Sequence, residues 1–176
     1  MADISLTQVG VVIIVTAIAL LYQLELDYDP LIVQRSAVVA RNTDDVFKYL
    51  KEVVDYPKWT GFVHHVEPLD NSAFGIGKSY HVHLRVPTGL NRYHTLVRTY
   101  TPNSELAFDL DMDLLQPIVV IEVTEGAKPG LSKVSLSIYS QRRSYLFRST
   151  ILPVARFVIT GHLQGALFHM KLLMQQ

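Results

Sequence analysis

The sequence predicts an α+β fold: a curved antiparallel sheet of six to seven strands wrapped around one long C-terminal helix, preceded by an apolar N-terminal helix. Three observations carry this. The chain has 176 residues, a length that suits one domain plus an appendage. From about residue 63 to 140, apolar and polar residues alternate in run after run, as in antiparallel strands with one buried and one wet face. The final stretch then shifts to three- and four-residue apolar spacing and runs to the C-terminus. A sheet with one apolar face must cover it, and that last helix is the only large element available.

At the N-terminus, no residue between Asp3 and Glu25 carries a charge. The 21 intervening residues span roughly 30 Å as a helix, about one bilayer core. Tyr22 falls where amphipathic rings collect at headgroup level. Residues 1–30 are therefore expected to be a transmembrane anchor and linker. The chief competing reading is a cleaved signal peptide, given the small residues Ala17 and Ala19, but a basic n-region is missing. A buried apolar arm is the third. Arg35, Arg41 and Lys48 follow the segment and no Lys or Arg precedes it. That bias places a single-pass protein's globular part in the cytosol. Residues 24–29 read as a short linker, or as an extra strand from their period-two pattern.

Residues 31–176 are expected to form the globular domain. Residues 31–40 are rich in Val and Ile and read as a first strand. Asn42 or Thr43 then caps a helix whose first turn holds Asp44 and Asp45, favoured by the helix dipole. Val46, Phe47, Leu50 and Val53 or Val54 form its apolar face, and Pro57 ends it. A bridge with the single tryptophan, Trp59, leads to a short strand at residues 63–69. Five longer strands follow, with a turn at Pro87, Thr88 and Gly89. In them Tyr80, Val82, Leu84, Tyr93, Thr95, Val97, Thr99, Phe108 and Leu110 face inward by alternation, as do Val119, Ile121, Val123, Val134, Leu136 and Ile138. Outside, simple hairpin registers set Arg98 opposite Asp109 and His81. The last helix is expected to begin at Pro153, which suits a first helical turn. Its apolar face is read as Val154, Phe157, Val158, Gly161, Gly165, Leu167, Met170 and Leu173 or Met174. Gly161 and Gly165 each cost helix stability, which suggests a close approach of sheet or ligand, or a tolerated flexible spot.

Composition narrows the function classes. There is no cysteine, which removes disulfides, zinc–thiolate sites and a cysteine nucleophile. Sixteen basic residues balance sixteen acidic ones, and no basic stripe interleaved with aromatics points to nucleic acid. His81 and His83 share a strand face with His94 nearby, yet that face is the wet one and no carboxylate completes a coordination set, so no metal is expected. No nucleophile elbow, phosphate loop or dinucleotide fingerprint is present. No cofactor and no catalytic residue are assigned.

Four segments in order resemble one superfamily, that of START lipid-transfer domains, polyketide cyclases and birch-pollen-allergen-like proteins, often labelled SRPBCC. Residues 37–50, AVVARNTDDVFKYL, resemble its opening strand and "V-F-x-x-L" helix. Residues 55–59, DYPKW, resemble its "N-Y-P-x-W" bridge. Gly75-Ile-Gly77 resembles its "G-x-G" turn. Residues 100–108, YTPNSELAF, resemble its "P-x-x-x-L-x-F" hairpin. The resemblance covers about residues 31–174 and implies a helix-grip fold with a cavity for lipids, sterols, polyketides or other hydrophobic molecules. The C-terminal helix departs from the family pattern in its low charge and two glycines.

The leading expectation is membrane-tethered binding or transport of a lipid or other hydrophobic small molecule, without catalysis. The candidate ligand-binding residues are Trp59, Tyr80, Val82, Leu84, Tyr93, Thr95, Val97, Phe108, Leu110, Phe157, Gly161 and Gly165. Trp59 is weighed against a purely structural role closing the gap between helix and sheet. The alternative is a cyclase or dehydratase acting in the same cavity, with Tyr80, Tyr93, His162 or His169 moving protons. A scaffold whose interior is filled by its own side chains is the third reading.

Overall fold

The computed structural model describes residues 6–86 and 89–175. Its elements run α1 (Leu6–Gln23), β1 (Leu31–Val39), α2 (Thr43–Lys51), a 3-10 helix (Val53–Lys58), β2 (Val63–Pro68), β3 (Ser79–Val86), β4 (Gly89–Thr101), β5 (Glu105–Leu110), β6 (Pro117–Glu125), β7 (Ser132–Ser140) and α3 (Tyr145–Met174). The expected turn residues Pro87 and Thr88, like the acidic start at Asp3, lie outside the described residues.

All seven strands join one antiparallel sheet in the order β1-β7-β6-β5-β4-β3-β2. Strands β2 to β7 are a simple meander, and β1 closes onto β7. The first two strands thus occupy opposite edges, and the segment between them, α2 with the 3-10 helix, crosses from one edge to the other. Val46, Phe47 and Leu50 of α2 are buried, the expected apolar face. Asn42 is the cap: its Oδ1 accepts from the Asp45 N–H at 2.8 Å. The helix is shorter than expected, because the chain tightens into the 3-10 turn from Val53, with Pro57 inside it.

The core lies between the sheet and α3. Alternation is obeyed on the inner face: Tyr80, Val82, Leu84, Thr95, Val97, Phe108, Ile121, Leu136 and Ile138 are buried. One register differs. A bulge between Val97 and Thr99 sets Leu96 opposite Asp109, and His81 faces His94. Arg98 still reaches Asp109 Oδ1 at 3.2 Å from the bulge, but it does not oppose His81.

The long helix departs from expectation in two ways. It begins at Tyr145, eight residues before Pro153. The Ser144 hydroxyl caps it by accepting from the Phe147 N–H at 3.2 Å, and Pro153 sits inside. Its buried face agrees with expectation at Leu167, Met170 and Met174 but differs in the stretch from Val154 to Gly165. Leu152, Ala155, Leu163, Ala166, Leu167, Met170 and Met174 point into the core, whereas Val154, Phe157, Phe168 and Leu172 are exposed, Phe157 by 86%. The helix is apolar on both sides, so spacing alone did not identify the inner one. Gly161 and Gly165 are not points of close approach: a Cβ built on either meets nothing within 4 Å.

Helix α1 comprises 18 residues, about 27 Å at 1.5 Å per residue. Its side chains from Val9 to Leu20 are mostly exposed, and its neighbour is α3. Among the described residues, Tyr145–Met174 is the one helix long and apolar enough to cross a membrane by length and composition; Thr7–Gln23 is shorter and apolar. One side of α3 lies on the core, so part of its apolarity belongs to that packing. The expected N-terminal membrane span is thus seen as a shorter exposed apolar helix. The expected linker is fastened to the domain. The Leu26 N–H donates to Arg143 O at 2.9 Å and the Tyr145 N–H to Leu24 O at 2.8 Å. Arg143 pairs with Asp29 at 2.7 Å, and Arg148 donates to the Tyr28 hydroxyl at 3.1 Å.

Candidate functional site

Two adjoining apolar chambers lie between the inner face of the sheet and α3. The inner chamber is about 90 Å³. The 3-10 turn places its first wall. Tyr56 donates its hydroxyl to Leu50 O at 2.8 Å, and the Thr60 hydroxyl donates to Tyr56 O at 2.8 Å. This holds the Trp59 indole against Tyr56, edge to face at 4.9 Å between centroids. Phe108 meets Tyr56 from the sheet side at 6.0 Å. Val82, Leu84, Thr95, Leu110, Val119, Ile121, Leu136 and Ile138 line the sheet wall, and Leu163 and Ala166 of α3 close it.

The outer chamber is about 360 Å³, within the roughly 300–1,000 Å³ usual for small-molecule sites. It shares Phe62, Leu84, Leu110, Val119, Ile138 and Leu163 with the inner one. Beyond that partition it is bounded by Met112, Leu114 and Leu115 of the β5–β6 loop and by Ile151, Val154, Ala155, Val158 and Ile159 of α3. The loop is held in place. Arg142 donates to Asp113 O through Nε and Nη2 at 3.2 and 2.8 Å, and the Ser140 hydroxyl donates to Leu115 O. Leu114 and Val154 are more than half exposed, so the outer chamber borders the surface there. Its charged or titratable lining is confined to Arg85 and His162.

Of the expected ligand-binding residues, Trp59, Val82, Leu84, Thr95, Phe108 and Leu110 come together at the chambers. Six do not. Val97 is fully buried but lies in the solid core. Tyr80 is buried outside both chambers, under the Lys78 ammonium at 5.9 Å. Burial, then the nearby charges of Glu52 and Asp70, push its phenol up to about 12. Tyr93 is half-buried, with its hydroxyl 3.5 Å from Asn91 Nδ2. Phe157 and Gly161 face outward and Gly165 is half-exposed, because α3 is turned the other way. The residues missed were of two kinds. Val119, Ile121, Leu136 and Ile138 were legible in the alternation. Met112, Leu115, Ile151 and Ile159 carried no periodic signal, since a loop and a helix of ambiguous face supply them.

Two buried polar atoms on chamber-lining residues, Trp59 Nε1 and Thr95 Oγ1, have no hydrogen-bond partner among the described residues, which is uncommon for buried polar groups. On the opposite face of the sheet, His65 and His83 each approach Glu67 Oε1, at 3.4 and 3.8 Å. Among the described residues no cluster of three or more His, Cys, Asp or Glu could hold a metal ion.

A meander sheet gripping a long C-terminal helix over an apolar hollow defines a START-like, helix-grip domain of the SRPBCC superfamily. The chain belongs to the family described as polyketide cyclase / dehydrase and lipid transport, whose model matches residues 30–175. No curated protein matches it in sequence. Among solved structures, a START superfamily protein from Mycobacterium smegmatis is similar with a TM-score of 0.67 at 11% identity, over 82% of this chain and 97% of that one. The di-domain ARO/CYC StfQ of the steffimycin biosynthetic pathway gives 0.62 at 15% identity, over 81% of this chain and 50% of that one. A Polyketide_cyc-like protein from Corynebacterium glutamicum gives 0.57 at 8% identity, over 85% and 94%. Likeness at such identities speaks for the fold. The glycine of the "G-x-G" turn has its physical reason here: Gly77 adopts φ +87° as its N–H bonds Val97 O at 2.9 Å, a conformation open to glycine.

Proposed function

We propose that this protein binds or carries a lipid or other hydrophobic small molecule in the two chambers, with residues 1–30 holding the domain at a membrane and the domain on the cytosolic side. The observation that carries the binding reading is the apolar hollow itself. A 360 Å³ space lined by aliphatic side chains lacks the packing contacts that a filled core gains. Membrane tethering is supported by α1, whose apolar side chains are exposed on every side. A helix apolar all round belongs in a buried or lipid environment. The family, with lipid transport in its description, supports the binding part.

Native mass spectrometry on the full chain, extracted from membranes in a maltoside detergent, tests the binding part. One hydrophobic molecule bound per chain is expected. A chain that stays empty after incubation with mixed lipids overturns it. Flotation with vesicles tests the tether: Ile14→Arg places a charge in the middle of α1, which costs roughly 2.5–3.5 kcal/mol of insertion, and should release the chain from the vesicle fraction. The cyclase or dehydratase alternative has less behind it. Of Tyr80, Tyr93, His162 and His169, only His162 lines a chamber, and proton transfer needs the acid or base within reach of the reacting group.

A further inference from the structure

We infer that the outward face of α3 is a docking surface for an anionic lipid bilayer, and that docking sets the mouth of the outer chamber against the lipid. This rests on the tether proposed above and names a second surface that meets the same membrane.

Scattered apolar side chains are ordinary on a protein surface, but a continuous run of them is not. Val154, Phe157 and Phe168 are more than half exposed, and Leu172 nearly so. With exposed Gly161 among them, they recur at three-, four- and seven-residue steps and share one side of the helix. That side extends about 27 Å from Val154 to Leu172 at 1.5 Å per residue. The charges of α3 have one sign. Arg148, Arg156 and Lys171 are its ionic side chains, and its 30 residues include no Asp or Glu. A cationic helix with an apolar face is suited to the interface of an anionic bilayer. A second copy of the chain fits less well. A two-fold pairing would set α3 against α3, bringing cations together with no carboxylate from either helix between them.

Two features bring lipid to this side. Helix α1, with its apolar side chains exposed, is followed at once by Leu24 and Leu26, which are bonded to the backbone at the start of α3. The two helices are neighbours, so a bilayer that holds α1 is within reach of α3. The outer chamber also borders the outward face. Val154 and Val158 line the chamber and are exposed, as is Leu114 of the β5–β6 loop. A hydrophobic molecule then passes between bilayer and chamber without crossing water.

The chain has no cysteine, so a single introduced thiol can carry a fluorophore. Phe157→Cys and Phe168→Cys place it on the face, on residues that line neither chamber. Glu122→Cys places it on exposed β6 surface, where alternation with buried Ile121 and Val123 turns it away from α3. The full chain is reconstituted into vesicles of phosphatidylcholine and phosphatidylserine that contain a phosphatidylcholine with a nitroxide high on its acyl chain. A docked face sits roughly 5–10 Å into the boundary of headgroups and acyl chains, so the labels at 157 and 168 should be quenched at least about threefold more than the label at 122. Omitting phosphatidylserine should lower that quenching. Flotation of the same samples scores the tether separately. A chain that floats with 157 and 168 quenched no more than 122 overturns the docking face and leaves the tether standing. Label burial that grows with protein concentration, without quenching by lipid, overturns it in favour of a second copy. Equal quenching on neutral vesicles overturns the anionic preference. A chain that does not float overturns this inference together with the tether.

Discussion

Replacing Ala166 with leucine should make the empty protein more stable and its site smaller. Ala166 sits on the inner face of α3, 1% exposed, where it lines the inner chamber. A larger side chain there has the hollow to enter. Two estimates of the gain agree. A void of about 90 Å³ at roughly 24 cal/mol per Å³ is worth about 2 kcal/mol. Three added carbons at roughly 0.8 kcal/mol each give about 2.4 kcal/mol when fully buried. At roughly 2–4 °C per kcal/mol for a chain of this size, the melting temperature should rise by roughly 4–8 °C. The assay is thermal unfolding of the full chain in micelles, without added ligand, followed by Trp59 fluorescence. The same variant should bind long chains more weakly, since their far end loses its space. A fall in melting temperature would mean that the leucine is overpacked and that the inner chamber is not free volume. The part of the binding reading that uses the inner chamber would then fail.

Leu163→Ala removes part of the partition shared by both chambers. It should cost about 2–5 kcal/mol and shift preference toward longer or bulkier ligands, as read by unfolding and competition. Asn42→Ala deletes the α2 cap and should cost about 1 kcal/mol in denaturant unfolding, with ligand affinity unchanged. Lys78 is buried, and its ammonium donates to Asp70 O, Asp70 Oδ1 and Ser72 O. That hydrogen bond, with those from Ser72, lowers the Asp70 carboxyl from 3.8 to about 2. A carboxylate whose pKa is lower when folded adds stability that is complete above its unfolded value and fades as pH falls through the folded one. Acid titration should therefore show a loss of stability between about pH 4 and 2 that disappears in Asp70→Asn.

The sheet was readable in the sequence because its periodicity is two and its faces differ in polarity. Val82, Leu84, Thr95, Phe108 and Leu110 followed directly from alternation. The 3-10 turn that carries Trp59 was readable as a bridge from Pro57, although its role as a chamber wall was not. The terminal helix was readable as a helix, and its last turns were readable in rotation through Leu167, Met170 and Met174, but its first half was not. A stripe containing Val154, Phe157, Gly161 and Gly165 competes with one containing Leu152, Ala155, Leu163 and Ala166, and both are apolar. The second stripe is the one that packs on the sheet. Nothing local encodes that choice. The loop around Met112 and Leu115 was equally silent, since its position depends on Arg142 and Ser140, reached only after two further strands.

The junction between α1 and the domain is stiff. Leu24 and Leu26 are bonded to the backbone at the start of α3, and Asp29 and Tyr28 are tied to arginines on either side of that start. A domain hung on a slack cord can tumble and present any side to its surroundings. Here the cord is stitched down as soon as α1 ends, so whatever grips α1 also fixes the heading of α3 and the bearing of the chamber beside it. Lengthening residues 24–29 with glycine and serine would free that heading without touching any chamber wall. Exchange of ligand would then become a measure of aim.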